Sequence, residues 1–283
     1  MEDTECTSTP NEKYLLGIEL IRERRQNLTE NDIRTIKILS RGLSNTPESI
    51  EEVACLIDYF CPPVEPEEDI SAYLWMIWSA MIDIVRSPDA TEDIHKSFVS
   101  ILSALSKHAK GEAHFWVGSN ALLKSETDPM EDPDTPEPDD RELKIWININ
   151  AFGARCLGAK VACPYENVMH AMRTAFEDED GMNDCRVQVA SNWIRHGAKI
   201  LLQWTQETLG LETSTPEEDG MYYEGGPLYD GPDTMCLRRW GFWMDRFEDA
   251  AKGDSGLSDE TRAMASEAAA TMKNVEKRAG NTL

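Results

Sequence analysis

Along most of this chain apolar residues recur at intervals of three and four, the period of a helix that buries one face. The first such stretch, 14–25, sets Leu15, Ile18 and Ile21 on one side. Thr29 stands as an N-cap ahead of Glu30 and Asp32, and a second helix carries Ile33, Ile36, Leu39 and Leu43 into residues 42–44. Pro47 suits the first turn of a third helix with the stripe Ile50, Val53, Ile57 and Phe60, which ends at Cys61-Pro62-Pro63. Pro66 opens a fourth, where Ile70, Tyr73, Leu74, Ile77, Met81 and Ile84 share a face that Trp75 and Trp78 widen. Pro88-Asp89 breaks it, and a fifth over 92–110 shows Ile94, Phe98, Ile101 and Leu105.

The pattern then stops. Residues 125–142 hold four prolines and nine acidic residues, an acidic loop that is either a domain boundary or an insertion within one helical domain. Helical spacing resumes at 143–157, apolar nearly all round through Ile145, Trp146, Ile147, Ile149, Phe152 and Cys156, the pattern of a central helix. Helices follow over 165–176 and 184–206, the latter presenting Val189, Ala190, Trp193, Gly197, Ile200, Leu201 and Trp204 together. A second acidic loop, 210–233, precedes the last two helices at 235–251 and 257–277, with Asp233 or Thr234 as the cap of the former. The only β-like run is 113–118. The expected fold is all-α: one irregular orthogonal array of about nine or ten helices over 1–283, with acidic loops at 125–142 and 210–233.

Composition narrows the function classes. With 52 acidic against 28 basic residues, the net charge of −24 opposes nucleic acid and anionic membrane as partners and favours solubility. A hydrophobic content of 41% with eight tryptophans supplies a core despite that charge. Seven cysteines, odd in number and without a C-x-x-C pair, fit reduced thiols in the cytosol, the nucleus not being excluded. The polar, acidic first twelve residues do not resemble a secretory or transit signal.

No phosphate loop, dinucleotide fingerprint or G-x-S-x-G elbow occurs. Cys156, Cys163 and His170 are evenly spaced, but Pro164 interrupts the helix that would stack them, so no metal ligand and no cofactor is expected. The acidic runs Asp139-Asp140-Arg141-Glu142 and Glu177-Asp178-Glu179-Asp180 lack the spacing of a terpene-cyclase Mg²⁺ motif. Charge runs at helix ends are commonly solvated, and carboxylates ahead of Leu143 suit a helix N-terminus.

Five positions carry possible ligand or catalytic chemistry. Asn150 lies among apolar residues and is either a hydrogen-bond anchor or part of a pocket. Trp193 and Trp243 could supply apolar walls, and Arg239, four residues before Trp243, can stack on it and hold an anion or simply neutralise nearby carboxylates. His196, at the margin of the Trp193 face, is the candidate catalytic acid or base, or else a boundary residue.

Gly225-Gly226-x-Leu228-Tyr229-x-Gly231, then Cys236-Leu237-x-Arg239-Trp240-x-Phe242-Trp243-x-x-Arg246-Phe247, resemble a fungal family of helical proteins known as a domain of unknown function. Asn150-x-Phe152-x-x-Arg155 and Ala190-x-x-Trp193-Ile194 fit the same pattern, and the likeness spans about 71–277. It implies a fungal source and an all-helical fold, and it carries no activity. Two functions stand: a non-catalytic protein-interaction or regulatory module, or a small-molecule-binding protein or enzyme of fungal specialised metabolism with a Trp-lined pocket. The expected partner is accordingly a protein or a small molecule.

Overall fold

The computed structural model describes residues 29–62, 67–108, 139–207 and 224–280. The helix expected over 14–25, the β-like run 113–118 and most of both acidic loops lie outside them. Among the described residues there are nine α-helices, one 3₁₀ turn and no strand: the fold is all-α. The chain divides into two compact units, 1–126 and 127–283.

In the first unit α1 (Glu30–Arg41) leads through a 3₁₀ turn (Gly42–Ser44) to α2 (Pro47–Phe60), α3 (Glu67–Val85) and α4 (Glu92–Leu105). The caps are written in the sequence. Thr29 Oγ1 accepts the Asp32 N–H at 3.2 Å while the Asp32 carboxylate accepts the Thr29 N–H at 2.9 Å, and Thr46 with Ser49 repeats the arrangement for α2. Loss of such a cap costs about 1 kcal/mol. Asn45, at φ 53°, takes the left-handed turn between α1 and α2, which its short polar side chain tolerates. Ile36, Leu39, Val53, Ile57, Ile77, Trp78, Met81, Phe98 and Ile101 are buried, all on the expected stripes. The fifth expected helix ends short of residue 110. After Leu105 the Lys107 and His108 N–H groups bond to Ala104 and Leu105, three residues back, which tightens the end of α4 into a turn.

The second unit comprises α5 (Asp140–Gly158), α6 (Tyr165–Phe176), α7 (Asp184–Glu207), α8 (Leu237–Ala250) and α9 (Asp259–Gly280). The run ahead of Leu143 is a helix start: Asp139 accepts the Arg141 and Glu142 N–H groups, and Glu142 accepts from Asp139 N–H. Neither Asp233 nor Thr234 caps α8. Cys236 holds that position without a side-chain cap, and Asp233 instead accepts the Gly225 N–H at 2.8 Å.

The helix with the most neighbours is α7, which packs on α5, α6, α8 and α9. Residues 149–154 of α5 are buried on all sides, as the apolar run requires, but its first turns are partly exposed. Small residues bring α5 and α7 together. A Cβ on Gly158 would stand 2.4 Å from the His196 carbonyl oxygen, and one on Gly197 would stand 2.7 Å from Leu157 Cδ2. The core of this unit contains Trp193, Trp240, Trp243, Phe176, Phe247 and Met272.

Candidate functional site

Asn150, Trp193, Arg239 and Trp243, four of the residues singled out from the sequence, fall into two hydrogen-bonded sets in the second unit. In the first, the Trp193 indole N–H donates to Asn150 Oδ1 at 3.1 Å, and Asn150 Nδ2 donates to the Trp146 carbonyl at 3.0 Å. Asn150 thus satisfies a buried indole on α7 from the face of α5 and has its own amide anchored one turn back. An N–H buried without such an acceptor would cost about 1–3 kcal/mol.

The second set gathers around Glu177, at the C-terminal end of α6. Its side chain is fully buried, unlike Glu179 and Asp180, which are exposed. Oε1 accepts from Arg239 Nε and from Trp243 Nε1, both at 2.7 Å; Oε2 accepts from an Arg239 terminal nitrogen at 2.7 Å and from the Gly226 N–H at 2.9 Å. The Glu177 carbonyl accepts the Leu228 N–H at 2.8 Å, and Arg239 also donates to the Glu224 carbonyl at 3.3 Å. A Cβ on Gly226 would stand 2.7 Å from the Glu177 carbonyl oxygen, so the backbone passes there only as glycine.

Two rings enclose the guanidinium. Arg239 Cζ lies 5.0 Å from the Tyr229 ring centroid and 5.6 Å from that of Trp243, both within cation–π range. Tyr229 hydroxyl and Cys236 Sγ are 3.6 Å apart. Burial first, and then the bond to Cys236, push the Tyr229 hydroxyl well above the ordinary phenol range, so it stays protonated.

The chemistry of this set is that of a clamp. A carboxylate offers about four lone-pair sites, and four N–H donors occupy those of Glu177. The clamp ties segment 224–236 to the end of α6 and to α8. Reading Glu177 with its three acidic neighbours as a solvated run is corrected here: it is the partner that a buried arginine requires. The signal in the sequence is Arg239 beside Trp240 and Trp243, which demands a carboxylate without saying which one.

His196 is half-buried on α7. Of the cysteine–histidine trio, Cys156 is buried, which drives its thiol far above the ordinary value, whereas Cys163 is exposed.

A family model described as "Protein of unknown function (DUF3632)" matches residues 78–247, more than half of the chain. The chain belongs to this family. The DUF3632 match takes in Asn150, Glu177, Trp193, Arg239 and Trp243 and reaches Phe247 in α8, so both hydrogen-bonded sets lie inside it. Comparison with curated proteins and with solved structures finds no match. No described helix is long and apolar enough to cross a membrane.

Proposed function

We propose that this DUF3632 chain is a non-catalytic protein-interaction module. The observation that carries the reading is the aromatic pair at the end of α2. Tyr59 is 77% and Phe60 44% exposed, their rings 5.2 Å apart and edge to face. Arg34 Cζ stands 6.0 Å from the Phe60 centroid. Tyrosine and arginine are among the residues that dominate binding energy at protein interfaces. Trp75 of α3, 61% exposed, adds a third large apolar side chain to the surface of the same unit.

The internal bonds of the second unit support the same reading. Arg239, Trp243, Asn150 and Trp193, which would serve a ligand pocket, are engaged with Glu177 or with one another. A net charge of −24 favours a partner that presents a basic rim, which would steer the encounter and weaken it with salt.

The test is a photoreactive phenylalanine analogue placed at Tyr59 in cells that express the full chain. A discrete protein adduct, lost when Phe60 and Trp75 are replaced by serine and missing when the analogue sits at exposed Lys199, is the expected result. A background no different from the Lys199 control would overturn the reading. A small molecule that stabilises the wild type saturably, and fails with His196→Ala, would favour the pocket instead.

A further inference from the structure

Outside both sets, one cluster in the first unit combines three kinds of metal-ligating atom. Glu51 and Cys55 lie one turn apart on the same face of α2, and His108 reaches them from the turn after α4. Glu51 Oε1 is 3.7 Å from Cys55 Sγ and 3.4 Å from His108 Nε2, and all three ligand atoms lie within 4.8 Å of one another. A fourth group faces the other side of the imidazole: Asp58 Oδ2 is 3.9 Å from His108 Nδ1.

We propose that Glu51, Cys55 and His108 form a binding site for a zinc-class divalent cation. Three features carry the assignment. The first is size. Zinc bonds of about 2.3 Å to sulfur and about 2.0–2.2 Å to nitrogen and oxygen give tetrahedral ligand–ligand edges of about 3.4–3.6 Å. Two edges of this triangle are already close to that length, and the third closes by side-chain rotation at a surface where Glu51 and Cys55 are free to move.

The second is donor chemistry. Thiolate, imidazole and carboxylate together select zinc over magnesium or calcium, which favour all-oxygen sets. Three protein ligands leave a position for water. The third is Asp58. Metal-bound histidines commonly give their other ring N–H to a carboxylate, which fixes the tautomer. Here Asp58 faces Nδ1 and leaves Nε2 toward Glu51 and Cys55. Negative charge is concentrated at the cluster, and a dication offsets the repulsion between Glu51, Asp58 and a Cys55 thiolate. Binding would join α2 to the end of α4.

The test is cobalt(II) titration of the reduced full chain, read by absorption. One equivalent should give a thiolate-to-cobalt charge-transfer band and the strong visible bands of tetrahedral cobalt, both displaced by zinc. Cys55→Ser should abolish the charge-transfer band, and Cys163→Ser, at another exposed cysteine, should leave it unchanged. His108→Ala should weaken zinc, measured against a chromophoric chelator, and Asp58→Asn should weaken it by about 10–100-fold. Both cysteines are exposed, and circular dichroism checks that the variants keep their helix. A titration without a charge-transfer band, a band that persists in Cys55→Ser, or zinc affinity unchanged in His108→Ala overturns the site.

Discussion

Glu177 and Arg239, sixty-two residues apart in sequence, meet through two hydrogen bonds of 2.7 Å with neither side chain exposed to solvent. Desolvating both charges is expensive, and the added bonds from Trp243 and Gly226 make the burial tolerable. What the pair secures is position. It holds segment 224–236 against the end of α6, so that α8 enters the core with Trp240, Trp243 and Phe247 facing inward.

Arg239→Met should therefore cost about 3–5 kcal/mol, the range for breaking one side of a buried ion pair. The double variant Glu177→Leu/Arg239→Met should recover part of that loss, because neither charge is then stranded. Recovery stays partial, since Trp243 Nε1 and the Gly226 N–H lose their acceptor. Urea denaturation of the wild type, Glu177→Leu, Arg239→Met and the double variant gives the comparison. Losses that simply add would mean that the two residues do not act as a pair.

Asn150 and Trp193 make a smaller, neutral version of the same arrangement. Asn150→Ala leaves the buried indole N–H without its acceptor and should cost about 1–3 kcal/mol. Trp193→Phe in the Asn150→Ala background should then cost less than Trp193→Phe alone, with a coupling of about 0.5–3 kcal/mol. Independent effects in the double-mutant cycle would show that the bond adds nothing to stability.

Much of this architecture is legible in the sequence because the determinants are local. Thr29 announces its helix by capping chemistry and Pro47 by its place in a first turn, and α6 spans the expected residues 165–176. Long-range choices are not legible in the same way. Glu177 is indistinguishable by composition from Asp178, Glu179 and Asp180; only the tertiary approach of Arg239 selects it. Arg239 and Trp243 read equally well as ligand site or fold anchor, because a guanidinium beside indoles has the same sequence pattern whether its carboxylate comes from a ligand or from the chain. Asp233 looks like a helix cap until the Gly225 N–H claims its oxygen. Glu51 and Cys55 stand four apart on α2, but His108 comes to them from the turn after α4, and no local spacing reveals that approach.

The contact between α5 and α7 gives a steric test. Gly158→Ala places a methyl group against the rigid His196 carbonyl, which only a shift of the helices can relieve, at a cost of about 1–3 kcal/mol. Gly241→Ala is the control within α8: nothing lies within 4 Å of the added carbon. There the change should stabilise by about 0.5–1 kcal/mol through helix propensity alone. Thermal unfolding of both variants separates the effects, and a Gly158→Ala chain as stable as the wild type would mean that the two helices can move apart at no cost.

The last expectation concerns acid. Asp184, in the first turn of α7, accepts the Ser258 hydroxyl at 2.6 Å and the Ser258 N–H at 3.0 Å, which fixes the approach to α9. Partial burial acts to raise its carboxyl, but the hydrogen bonds from Ser258 and Thr261 and the charge of Arg262 outweigh it and hold the group below its ordinary value. A carboxyl depressed on folding contributes stability that is fully present above its unfolded pKa of about 3.9 and is lost as the pH falls through the folded value. Asp184→Asn keeps an acceptor oxygen at the position but removes the titration. The stability difference between wild type and variant should therefore be largest at neutral pH, shrink below about pH 4 and weaken with added salt, because the group is largely exposed. Urea midpoints for both chains at pH 7 and at pH 3 measure it. A difference that is the same at both pH values would show that the Asp184 charge takes no part in joining α7 to α9.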